Sequence, residues 1–172
     1  MKLSKIIFIG PADAEKTSAF HTISDIPPVK SLAAPADSAA TDASLDYGLI
    51  KLKAGEEIQL VAASGDKQLQ SLSEQVAGDG VGLILLLDNT SADPFKEMLA
   101  CLDLFKAIIT QNNIAIGITQ MDINEKPTIA DYHVQMQVSG KKPPIFAVDP
   151  MSKKDISLLV QALLYSLDPM LG

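Results

Sequence analysis

Three runs in this chain carry no polar side chain: Ile6 to Ile9, Val81 to Leu87 and Ile114 to Ile118. A strand with one solvated face alternates apolar and polar residues. A strand that is apolar at every position has to be covered on both faces, as in parallel sheets flanked by crossover helices. Even the longest run is far short of the roughly 20 residues that a membrane helix needs. The chain is therefore expected to form a mostly parallel sheet between two layers of helices.

The segments between these runs alternate in kind. Lys16 to Ile23 suits a helix, which Ile26-Pro27-Pro28 must end because proline cannot continue the hydrogen-bond ladder. Residues 30–46 have no sustained period and read as a long flexible loop. Tyr47 to Leu52 and Glu57 to Ala62 suit a hairpin turning at Ala54-Gly55-Glu56, which would add one antiparallel edge strand. Leu69 to Ala77 is helical in pattern, and a helix from Pro94 to Thr110 is marked by Asp93 as cap and Pro94 at its first position. Ile129 to Val138 reads as a helix, Ile145 to Val148 as a strand and Lys154 to Leu167 as a closing helix. The expected fold is one α/β domain over residues 1–172, a three-layer doubly wound, mostly parallel sheet with one antiparallel edge strand. In such sheets ligands bind beyond the carboxyl ends of the strands, so the loops after Ile9, Ala62, Leu87, Ile118 and Val148 are the ones to read for function.

Composition narrows the partners. A net charge of −7 supplies no clustered cations for nucleic-acid phosphates or an anionic membrane surface. The single Cys101 cannot form an internal disulfide and falls in an apolar helical pattern, where a buried thiol is expected. The short apolar run near the N-terminus stops at Gly10-Pro11 and lacks a signal-peptide core, so a cytoplasmic protein is expected. His21 and His133 each have one carboxylate nearby, too few ligands for zinc, and are expected at the surface or its boundary.

Two motifs fall on the ligand-binding edge. After the first strand, Gly10-Pro11-Ala12-Asp13-Ala14-Glu15-Lys16-Thr17 has the length and ends of G-x-x-x-x-G-K-[ST], with Glu15 where the second glycine belongs. A glycine there permits a backbone that other residues adopt at a cost, and a carboxylate puts negative charge near any phosphate. After the third apolar run, Thr119-Gln120-Met121-Asp122 stands where a G-domain has N/T-K-x-D, with Gln120 in place of the lysine. The aspartate of that motif accepts hydrogen bonds from a guanine base.

With both motifs in order, the sequence resembles the Ras-like small GTPases, in particular the bacterial branch related to gliding-motility polarity GTPases. The resemblance spans residues 3–167. Its marks are Lys5 to Pro11, Ile23 to Val29, Asp46-Tyr47-Gly48, Gly82 to Asn89 and Phe146 to Asp149. It implies GTP or GDP contacts at Gly10, Asp13, Lys16, Thr17, Gly65, Thr119, Asp122 and Val148. It also implies magnesium at Thr17 and Thr41, or at Asp42 one residue later.

The departures are as specific as the matches. Ala62 removes a carboxylate that could hold magnesium's water shell, and Asp66 stands where a water-orienting glutamine belongs. No catalytic residue is assigned, hydrolysis is expected to be negligible, and nucleotide binding weak or absent. The leading expectation is a pseudo-GTPase interaction module, for which the resemblance implies a Roadblock/LC7-type protein partner. A slow GTP switch in polarity or surface motility is the alternative, resting on Lys16, Thr17, Gly65 and Asp122. A flavodoxin-like receiver ranks third, since Gly10-Pro11 and Ala62 stand where it would want acidic residues.

Overall fold

The computed structural model describes residues 3–11, 13–27, 29–32, 44–52, 55–63, 80–109, 113–137, 140 and 142–167. In chain order the elements are β1 (Lys5–Ile9), α1 (Asp13–Ile23), β2 (Val29–Leu32), β3 (Ser44–Lys51), β4 (Glu57–Ala63), β5 (Val81–Asp88), α2 (Pro94–Leu104), β6 (Ile114–Thr119), α3 (Ile129–Gln137), β7 (Ile145–Ala147) and α4 (Lys153–Leu167). The strands form one sheet in the order β2-β3-β4-β1-β5-β6-β7. β4, β1, β5, β6 and β7 are parallel neighbours, while β3 runs antiparallel to both β2 and β4.

The apolar runs occupy β1, β5 and β6 at the centre, and their side chains divide by alternation. Ile7, Ile9, Leu83, Leu85, Leu87, Ile116 and Ile118 join Met98, Phe105, Tyr132 and Met136 in a core on one face. Ile6, Phe8, Ile84, Leu86 and Ala115 join Ala19, Phe20, Ile156, Leu159 and Leu163 on the other. Period-2 alternation on a sheet buried from both sides explains why neither face of these strands carries a polar residue. Cys101 is buried on α2, as its pattern implied.

Close approach of α4 depends on two strand glycines. A Cβ on Gly82 would lie 2.8 Å from Leu163 Cδ2, and one on Gly117 would lie 2.8 Å from both Leu159 Cδ1 and Val148 Cγ2. The starts of α2 and α3 are as marked in the sequence. The Asp93 side chain accepts from the Lys96 amide at 3.1 Å with Pro94 in the first turn, while Thr128 and Asp131 exchange backbone and side-chain bonds at the start of α3.

Three boundaries differ from the sequence reading. Both ends of the expected 30–46 loop are strand: Val29–Leu32 forms β2, and β3 begins at Ser44, with Lys30 paired to Asp46. The antiparallel strand β3 is consequently one place in from the edge, and β2 pairs its outer rim. Val-Lys-Ser-Leu is too short to show a period by itself, and residues 33–43 lie outside the described residues. α2 ends at Leu104, six residues earlier than expected. Turns then carry the chain to Ile108, whose carbonyl accepts from the buried Asn113 side-chain amide at 2.8 Å. Third, α1 begins at Asp13 rather than Lys16, which bears on the site below. The expected helix at Leu69 to Ala77 lies outside the described residues, and no helix among the described residues is long and apolar enough to cross a membrane.

Gly117→Ala is expected to lower stability by about 1–3 kcal/mol, the usual range for an overpacked core. Thermal unfolding should record a fall in Tm, by about 2–4 °C per kcal/mol in a chain of this size.

Candidate nucleotide-type site at the strand ends

The carboxyl ends of β1, β4, β5, β6 and β7 share one edge, where the parallel strands bring together loops far apart in sequence. Gly10 ends β1 with φ 147°, and an added Cβ would strike the Leu86 carbonyl, so only glycine passes here. Two residues separate it from α1, which places Asp13, Ala14 and Glu15 in the first helical turn. A loop that curls around phosphates has to stay non-helical through the second glycine of the motif. With Glu15 in that position the segment winds into helix instead, since Ala and Glu favour helix and Asp in the first turn suits the helix dipole. Lys16 is buried at 1% exposure within the protein and Thr17 is half-buried.

The Glu15 side chain leaves the loop and reaches the other motif. Thr119 Oγ1 lies 2.6 Å from Glu15 Oε2 and 3.2 Å from the Leu87 carbonyl oxygen, and it has one proton for both. Burial pushes the Glu15 carboxyl above its ordinary range and nearby Asp88 adds to this, against the hydrogen bonds from Thr119 and Gln120. The Thr119 hydroxyl is the donor, with the Glu15 carboxyl as its nearer acceptor and the Leu87 carbonyl as the second.

The loop after β6 is held from below. Asn89, 1% exposed at the end of β5, donates through Nδ2 to the carbonyls of Asn124 (2.6 Å) and Pro127 (3.0 Å) and accepts from the Tyr132 hydroxyl at 2.7 Å. Burial, then Asp88 and Glu97, push the Tyr132 hydroxyl up to about 12, so it remains a donor at neutral pH. Gln120 sits in the left-handed region with φ 61°, which costs a non-glycine residue about 1 kcal/mol. This conformation turns the chain sharply after β6, where Gln120, Met121 and the exposed Asp122 line a cavity of about 410 Å³. The opposite wall is Val148, Asp149, Pro150 and Asp155. The Asp149 amide donates to Asp155 Oδ2 at 2.9 Å, and Asp149 Oδ1 accepts from the Met151 amide at 2.9 Å. Among the described residues, three carboxylates and no basic side chain line the cavity. It suits a small group rich in N–H donors with an apolar face, and it disfavours an anion.

Of the positions named from sequence, the fold brings Gly10, Asp13, Lys16, Thr17, Thr119, Asp122 and Val148 to this edge, while Gly65 and Thr41 lie outside the described residues. His21 and His133 are exposed on α1 and α3. One carboxylate was not assigned a role by sequence. Asp46 is 3% exposed, one of its oxygens has no hydrogen-bond partner, and it sits directly across from Ala62 on the face toward α1. Gly48 and Ile50, two and four residues further on, meet α1 or its core on that same face. A divalent cation at this edge would thus have Thr17 and Asp46 available, while Ala62 offers nothing. No cluster of three or more His, Cys, Asp or Glu suited to a metal occurs among the described residues. Asp46 and Asn89 carry no local sequence signal of their own, because their placement comes from strand pairing and a distant tyrosine.

The architecture defines the class: an α/β domain of P-loop G-domain type. Among solved structures it is similar to the cytosolic domain of the T. maritima FeoB iron transporter in apo form. That match has a TM-score of 0.67 at 16% identity, covering 96% of this chain and 64% of that one. The same domain in GDP form I gives a TM-score of 0.63 at 15% identity with the same coverage. This chain thus spans just under two thirds of the length of those structures. No protein-family model matches the sequence, and no curated protein matches it significantly.

Glu15→Gln removes a carboxyl whose folded-state affinity for protons exceeds its ordinary one. The wild-type residue contributes stability below pH 4.5 that is lost as pH rises through the raised value, so the variant is expected to gain Tm relative to wild type at neutral pH. The gain should shrink toward pH 4, as paired thermal melts across pH 4 to 8 can show. A difference that grows toward acid pH would contradict the assignment.

Proposed function

We propose that the chain is an interaction module on a G-domain framework, a pseudo-GTPase that binds protein partners with weak or no nucleotide affinity and negligible hydrolysis. The observation that carries this reading is the position of Glu15: it lies in the first turn of α1, where the phosphate loop should remain open, and its carboxyl is engaged with Thr119. Phosphate binding at such a loop depends on a concave row of backbone N–H groups, and winding the segment into helix removes that concavity. Gln120 in place of the lysine that packs along a base, and Ala62 in place of a carboxylate, act in the same direction. The partner is proposed to be of Roadblock/LC7 type, following the family resemblance, and the protein to act in the cytoplasm.

A slow GTP switch is the second reading, favoured by the 410 Å³ cavity beside Asp122 and by the buried Asp46 carboxylate, which offers a cation an oxygen from the strand next to Ala62. The neighbour solved in GDP form keeps this reading in view.

Isothermal titration of the wild-type protein with GTP and magnesium decides between the two. The pseudo-GTPase reading expects no saturable binding in the micromolar range, and binding at micromolar affinity or tighter would remove it.

A further inference from the structure

The hydrogen bond between Glu15 and Thr119 joins residues on β1's helix and on β6, and these strands are not neighbours. In the sheet order β5 lies between them. The contact therefore ties the start of α1 to a strand end two places away from β1 in the sheet. Its endpoint is fixed by two strands at once, because Thr119 Oγ1 also touches the Leu87 carbonyl of β5. Asp88, the next residue of β5, and Gln120, the next of β6, are both near enough to act on the Glu15 carboxyl. The carboxyl therefore lies over the end of β5, held by groups on β6.

That position divides the groove. On one side is the cavity over β6 and β7, with Gln120, Asp122 and Asp149 in its walls; on the other is the amino end of α1, above β1. A ligand with one end in the cavity and an anionic end at α1 has to pass over the end of β5, where Glu15 sits with Asp88 beside it. We propose that Glu15 is an internal gate: the Glu15–Thr119 contact splits the groove into two compartments, and a nucleoside phosphate, the ligand class that needs both, enters only when the contact breaks. The gate rests on reading the groove as a nucleotide-type site. It adds the element that closes the site and the event that would open it, so a ligand confined to the cavity is indifferent to Glu15.

The test titrates GDP with magnesium, and guanosine as the phosphate-free probe, into wild type, Glu15→Ala and Thr119→Val. Circular dichroism first confirms that each variant is folded. Glu15→Ala is expected to bind GDP about tenfold more tightly than wild type, the scale of one charge-assisted hydrogen bond, with its response to guanosine unchanged. Thr119→Val keeps the carboxyl but cuts the tether, and should gain part of that increase. Faster amide exchange at residues 119–123 should accompany the gain in both variants. The gate is overturned if Glu15→Ala binds GDP no better than wild type. If neither binds, the gate falls and the pseudo-GTPase reading stands; if both bind tightly, both fall. A gain in Glu15→Ala with none in Thr119→Val would show exclusion by charge without a tether, and would also overturn it.

Discussion

Double-sided burial of β1, β5 and β6 is the constraint from which the rest of this structure follows. Strands without polar side chains cannot face water, so helices must cover both faces, and right-handed crossovers then place every strand-to-helix loop at one edge. Gly82 and Gly117 let α4 settle close against the sheet, with Leu159 and Leu163 filling the space their side chains would have taken. Thr119, Asp88 and Glu15 meet because this scaffold leaves their strand ends side by side. The polar edge is a consequence of the apolar centre.

Across that edge, polar groups engage one another: the Glu15 side chain extends from the start of α1 to the end of β6, and α1 begins only two residues after Gly10. The loop after β6 is firmly mounted. Asn89 satisfies two of its carbonyls and the Tyr132 hydroxyl from a fully buried position, and a network with every member satisfied holds its geometry well.

Much of this was legible in the sequence. The apolar runs gave the central strands, Asp93-Pro94 gave the start of α2, and the order of the two motifs placed them at a common edge. Short or long-range features were not legible. β2 has four residues and owes its existence to the free rim of β3, where Ser24 and Asp25 already hold the Leu49 and Lys51 amides. The start of α1 moved because sequence comparison reads Glu15 as a damaged glycine, whereas helix propensity treats it as an ordinary helical residue. The pairing of Glu15 with Thr119, and the facing of Asp46 and Ala62, depend on sheet order and register, which no local pattern encodes.

The pseudo-GTPase proposal holds that this fold lacks stable nucleotide occupancy. Its most direct test is to denature freshly purified protein and quantify the released nucleotide chromatographically. The account predicts guanine nucleotide far below one per chain, and a yield near one GDP or GTP per chain would contradict it.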